Sequence, residues 1–224
     1  MSSYLDRTQL LLGTEKLQRI QNVKIMVIGL GGVGGTALNA LYRSGFRHFI
    51  LVDNDVVDES NLNRQIMYSR SDIGKLKTEV CKARLTEFCG DIDAKTINCY
   101  VDYDNAKELI KDVDFVVDAI DYVPGKIGIY KACLENNIPF VSSLGMAKRL
   151  NPEDVYLTTL NKTENDPLAK KIRYECRQKG LDLKKIPVVF SKENIIIDGP
   201  ELGSMMMVPS TAGLIISNFI IKSI

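Results

Sequence analysis

Apolar and polar positions along the chain switch repeatedly between a period of about two and one of about 3.6. Residues 4–21 alternate apolar and charged positions at helical spacing and predict a helical lead-in. Val23–Ile28 is a β-branched run that stops at a glycine, the pattern of a buried strand. Thr36–Ser44 then reads as a helix and Phe49–Val52 as a second strand, a βαβ unit long enough to join two parallel strands. Further on, 74–88 reads as a helix, 94–100 as a strand, Ala106–Ile110 as a short helix and Asp114–Val117 as a strand. Gly125–Asn136 is helical, and Phe140-Val141 begins another strand.

After Asn151-Pro152 the pattern loosens. Val155–Leu160 and Pro187–Ser191 read as strands, Pro167–Lys179 as a helix rich in Lys and Arg, and 192–208 as a mobile loop containing Asp198-Gly199-Pro200. Ala212–Ile224 is the most apolar stretch, but Ser217, Asn218 and Lys222 interrupt it and it is too short to span a bilayer; it predicts a buried core or interface helix. No internal repeat is present. Strand and helix alternate throughout, which predicts an α/β fold: a Rossmann-like, doubly wound, mostly parallel sheet with helices on both faces. The expected organisation is one domain over 1–224, with the lead-in at 1–22, a nucleotide-binding core at 23–150 and a substrate-side extension of the same domain at 151–224.

Composition changes this picture little. Of 224 residues, 45% are hydrophobic and 25% charged, and the net charge of +1 gives the whole molecule no strong pull on a polyanion. The five cysteines (81, 89, 99, 133, 176) form no C-x-x-C pair, which argues against a zinc ribbon or redox dithiol. Their odd number, with no secretory signal, fits a reducing cytoplasmic compartment.

Candidate chemistry begins at Gly29-Leu-Gly31-Gly32-Val-Gly34, between a strand and a helix. Glycines there permit a tight turn and close backbone approach to phosphates at a helix N-terminus. Asp53 ends the second strand, where an acid usually receives ribose hydroxyls. To this point an NAD-dependent oxidoreductase fits equally. The residues beyond Asp53 favour a triphosphate: Asp55, then Asn61-Leu-Asn63-Arg64-Gln65, then Lys77 supply the cations and amide donors that charge building up on phosphates requires. A solvated polar loop is the bland alternative.

The glycine loop, Asp53-x-Asp55, the N-x-N-R-Q segment, Lys77 and Asp118-Ala-Ile-Asp121 together resemble the E1-like, ThiF-type adenylating superfamily over the first 125 residues or so. That resemblance implies that Asp53 binds the ribose of ATP, that Asn61, Arg64 and Lys77 hold its phosphates, and that Asp121 helps carry magnesium. It also implies a homodimer in which Arg7 reaches the neighbouring ATP site. Superfamily members that activate carrier proteins usually have paired zinc cysteines or a catalytic-cysteine domain, and neither is evident here.

The second half narrows the resemblance. Ser142–Ala147 with Leu150-Asn-Pro152, then Lys162–Arg173 with its Asp166-Pro-Leu-Ala169, then Val188–Glu193, resemble the tRNA threonylcarbamoyladenosine dehydratase branch. The turn near Gly145 is less glycine-rich than is common in that branch. The branch implies adenylation of the threonylcarbamoyl carboxylate next to the anticodon, then ring closure by a nitrogen of the same group. Its members also admit a monovalent cation and sulfur-relay proteins as associates. Residues 162–192 carry nine Lys/Arg against four acids, a local excess of about +5 suited to an RNA backbone or simply to a solvated helix face. No enzyme nucleophile is required, so Cys176 reads as a passenger. His48 reads as structural and Met205–Met207 as apolar filler. Activation of a carrier protein ending in Gly-Gly, an oxidoreductase and a binding module without catalysis are the competing functions.

Overall fold

The structure, a computed structural model, describes residues 3–90, 92–196, 199 and 201–224, the side chain of Cys89 excepted. Asp198 and Pro200 of the expected turn therefore lie outside the described residues.

Among the described residues seven strands form one sheet: β1 (Lys24–Ile28), β2 (His48–Val52), β3 (Asp93–Ile97), β4 (Phe115–Asp118), β5 (Phe140–Ser143), β6 (Val155–Thr159) and β7 (Pro187–Ser191). Their spatial order is β3-β2-β1-β4-β5-β7-β6, all parallel except the β6–β7 pair. Each strand predicted from the sequence is present. The α/β expectation of a mostly parallel sheet covered by helices on both faces holds.

Strand alternation divides the apolar residues between two cores. Ile25, Val27, Phe49, Leu51, Phe115 and Val117 face α2 (Thr14–Asn22), α3 (Gly32–Arg43), α4 (Lys77–Cys89) and α8 (Met207–Ser223). Met26, Ile28, Ile50, Val52 and Val116 face α5 (Ala106–Leu109), α6 (Val123–Glu135) and α7 (Pro167–Gln178). Strands buried on both faces must be apolar throughout, which is why β1 and β4 read as continuous hydrophobic runs.

The boundaries differ from the sequence reading for local reasons. The lead-in is two helices, α1 (Asp6–Leu12) and α2, because Gly13 adopts φ +82° between them. Helix α3 begins at Gly32 rather than Thr36, so its first turn is built of the loop glycines themselves. Helix α4 starts at Lys77, three residues after the predicted start, since Gly74 has φ +86° and Leu76 bridges Val56. The C-terminal helix starts at Met207 and packs on α3. There Gly213 lets the backbones meet: a Cβ would fall 2.6 Å from the Val33 carbonyl oxygen. Met205–Met207 are half exposed rather than filling the core, a correction that reflects their position at the exposed start of α8. Among the described residues no helix is long and apolar enough to cross a membrane.

Between β2 and α4 the chain is tied down by Asp72, which accepts from Ser69 Oγ at 2.7 Å and Arg84 Nη2 at 3.0 Å and pairs with Lys75. Burial pushes this carboxyl up, but the Ser69 hydrogen bonds, Lys75 and Arg84 outweigh it and hold it at about 2, below the ordinary 3.8. A depressed acid stabilises the fold above its unfolded pKa, and that contribution is lost as pH falls from about 4 toward 2. Asp72→Asn should therefore lower the Tm at neutral pH and flatten its decline between about pH 4 and 2, read by thermal melts across that range.

Candidate nucleotide-binding and adenylation site

The β-ladder aligns Ile28, Val52 and Asp118 as the last residues of three adjacent strands. The next residues in each, Gly29, Asp53 and Ala119, therefore emerge side by side at the crevice where strand order reverses, the usual ligand position in such sheets. A cleft of about 750 Å³ opens there.

Gly29 has φ +87°, and a Cβ on it would meet the Ala119 carbonyl at 2.7 Å. A Cβ on Gly34 would fall 1.8 Å from the Gly29 carbonyl oxygen, so this glycine closes the loop and does not line the cleft. Gly31 is different: a Cβ there would have only Gln65 Nε2 nearby, at 3.8 Å, so that side of the loop is open to a ligand. Gly31 and Gly32 line the cleft at the start of α3, whose first amides have no partner within the helix.

Asp53 Oδ2 accepts from Leu30 N at 2.6 Å and Oδ1 from Asp55 N at 2.9 Å. Burial raises its pKa, while the two amides and Lys77 pull it back. Each oxygen keeps a second lone pair for a ribose hydroxyl. Lys77 opens α4 with its side chain 5% exposed and its ammonium 2.7 Å from Asp55 Oδ2. Arg64 donates to Ser60 O at 2.8 Å and Asn63 Oδ1 at 2.9 Å, both neutral acceptors that leave its charge uncancelled.

Asn61, Arg64, Gln65 and Lys77 all line the cleft. Asn63 stands at its rim, donating to Ser204 O at 2.9 Å, and Arg7 is exposed on α1, away from the lining. Gln65 is buried, and its Oε1 accepts no hydrogen bond among the described residues. A buried acceptor without a donor, beside an open glycine face, suits a ligand that brings its own hydroxyl or amine.

Asp121 is exposed on the cleft wall, just beyond β4. No cluster of three metal-binding side chains exists among the described residues. A magnesium ion carried on nucleotide phosphates needs only one or two protein carboxylates, so Asp121 fits it. Asp118, at the other end of the same motif, is wholly buried instead. Its Oδ2 lies 2.8 Å from Lys126 Nζ and accepts from Ser142 Oγ at 2.6 Å, and its Oδ1 accepts from Ile120 N at 3.3 Å. Lys126 spends its other protons on Ser142 Oγ and the Ser143 carbonyl. This ion pair is the floor from which the Ala119–Asp121 segment rises.

Burial pushes the thiols of Cys81 and Cys176 up to about 12 and raises those of Cys133 and Cys99. None of these four is an activated nucleophile. His48 binds Asp93 at 3.1 Å at the start of β2, a structural contact.

The model of the ThiF family matches residues 5–152, and the chain belongs to that family. Its likeness to the tRNA threonylcarbamoyladenosine dehydratases is longer. The Bacillus subtilis protein of that name is 31% identical across 100% of this chain and 95% of its own length. The crystal structure of the Escherichia coli enzyme with ATP is 32% identical, covers 98% of this chain and 93% of that one, and superposes with a TM-score of 0.93. A protein from Porphyra purpurea described as a probable molybdopterin-synthase adenylyltransferase is 35% identical over only 55% of this chain and 32% of its own length.

Proposed function

We propose that this protein binds ATP and adenylates the carboxylate of the threonylcarbamoyl group on an adenosine next to the tRNA anticodon, then releases the cyclised nucleoside. The observation that carries this reading is the reach of the resemblance. It runs through residues 145–149 and 166–168, which line the cleft, whereas likeness to the molybdopterin-synthase adenylyltransferase covers about half the chain.

In this reading Asp53 holds the ribose, the open face at Gly31–Gly32 receives phosphate oxygens, and Arg64 and Lys77 meet their charge. Lys77 exchanges Asp55 for the nucleotide as it does so. Asp121 would hold magnesium, which supplies further charge neutralisation on the phosphates when bound. A carboxylate is already nucleophilic at neutral pH, so alignment and charge neutralisation are the main requirements. One carboxylate oxygen attacks the α-phosphorus and the bond to the β-phosphate bridging oxygen breaks, releasing pyrophosphate. A nitrogen of the same modification then attacks the acyl carbon, loses its proton, and AMP departs. Ring closure is intramolecular, in keeping with cysteines held as neutral thiols.

The basic segment supports RNA contact. Lys162, Lys170, Lys171, Arg177, Lys184 and Lys185 are exposed on and around α7, while Arg173 turns inward to the Thr163 carbonyl at 2.9 Å. We also read the chain as one adenylating domain, with the extension after 150 forming the substrate side. A homodimer is supported by α1, where Arg7 is exposed beside Leu10 and Leu11, which are 87% and 83% exposed. Such a surface needs a cover.

Incubation with ATP, magnesium and threonylcarbamoylated tRNA should yield AMP, pyrophosphate and a nucleoside lighter by one water, read by mass spectrometry. Folded, ATP-binding protein that leaves that mass unchanged would refute the assignment. Pyrophosphate exchange that depends on a Gly-Gly-ended protein and ignores tRNA would replace it with carrier activation.

A further inference from the structure

The cleft has a second set of cations that the nucleotide reading does not use. Lys148 and Arg149, in the turn after β5, both line it and are 9% and 4% exposed. They belong to the wall opposite the loop that carries Arg64 and Lys77 in sequence and in the sheet, since β5 and β2 are separated by β1 and β4.

Their partners are nearly all neutral. The Lys148 ammonium donates to the Gly199 carbonyl and has no carboxylate partner among the described residues. Arg149 donates to the carbonyls of Glu193 (3.2 Å), Asn165 (3.4 Å) and Gly145. Asp166 is the one ion-pair partner of Arg149 among the described residues, at 3.9 Å, and that carboxylate is already engaged by Gly145 N and Ala169 N. Glu193 directs its carboxylate to the amides of Leu150 and Asn151, both at 2.9 Å. Among the described residues both nearby carboxylates are committed to backbone amides, so neither buried cation has a close ionic partner, and desolvated charge of this kind calls for a counter-ion.

The backbone points the same way. Lys148 sits at φ +63°, a conformation that non-glycine residues rarely adopt. It is held there by Lys148 N to Gly203 O at 2.8 Å and Ile196 N to Lys148 O at 3.2 Å. Strained residues fixed from both sides are characteristic of ligand clamps.

We propose that Lys148 and Arg149 form the subsite that receives the substrate's carboxylate and presents it to the α-phosphate, a role that rests on the function proposed above. Ammonium and guanidinium together suit a carboxylate that must stay ionised to react. Lys148 gives up a carbonyl for it, so free and occupied states differ by one exchange of acceptors.

The test compares tRNA bearing the free threonylcarbamoyl acid with the same tRNA as its methyl ester, binding each in the presence of a non-hydrolysable ATP analogue. Wild-type protein should prefer the acid by at least about tenfold, and Lys148→Gly, which suits the left-handed backbone, by no more than about twofold. The same variant should raise the KM for tRNA about tenfold or more and leave that for ATP within about twofold, and Lys148→Arg should restore most of the loss. Arg149→Lys provides a second probe that keeps the buried charge. Undiminished preference for the acid in both Lys148→Gly and Arg149→Lys overturns the subsite. So does a wild type that cyclises the tRNA yet binds acid and ester alike. A wild type that binds ATP but never cyclises the tRNA removes the function itself, a distinguishable result.

Discussion

Arg64→Ala is expected to slow adenylate formation by about 10²–10³-fold, the usual cost of removing one fixed donor from developing negative charge. The side chain is well placed for such a loss to be specific. Its bonds go to the Ser60 carbonyl and the Asn63 amide oxygen, both within its own loop, so the fold should lose only about 1 kcal/mol. In the proposed role of Arg64, binding of ATP should weaken less than turnover falls, because phosphate charge grows as pyrophosphate departs. Pyrophosphate exchange measured beside a thermal melt separates the two effects. Near wild-type exchange in Arg64→Ala would show that Arg64 does not meet the phosphates.

Lys126→Met should produce the largest loss of stability. It strands Asp118 as a fully buried carboxylate with its cation gone, which typically costs about 3–5 kcal/mol. For a chain of this size that lowers the Tm by roughly 6–20 °C. Adding Asp118→Leu should recover much of the loss, since a buried pair replaced whole is often tolerated. A Lys126→Met protein melting within about 2 °C of wild type would mean that the pair is not sealed from water. Because Asp118 also receives the Ile120 amide, the single variant should disturb the Asp121 segment as well.

These two residues also mark the limit of what the sequence made legible. Asp121 and Arg64 are read from a local motif, because strand ends, glycine turns and helix starts carry short-range signals. All seven strands were legible for the same reason: β-branched runs bounded by glycine or polar turns. Lys126 was not. It lies in an otherwise apolar helix, and its meaning depends on Asp118 and Ser142, which different strands bring to it. Lys148 and Arg149 were not singled out by any local pattern. They are held by Glu193, Ile196, Gly199 and Gly203, contacts from distant sequence that no periodicity encodes. Asp166 stood out as part of a family signature, yet physically it caps α7 and binds the turn at Gly145. The Met205–Met207 run failed for a complementary reason: apolar composition alone does not say which end of a helix meets solvent.

The packing of α8 on α3 has a consequence for how the protein is made. Ser217 Oγ bonds the Ala37 carbonyl across 180 positions of sequence, and Pro209 lies 3.2 Å from where a Gly32 Cβ would be. The helix that presents the glycine loop is thus roofed by a segment synthesised some 180 positions later. At about 5–20 residues per second, the first βαβ unit waits roughly 10–35 s for its cover. The nucleotide loop therefore gains its cover only after α8 has been made.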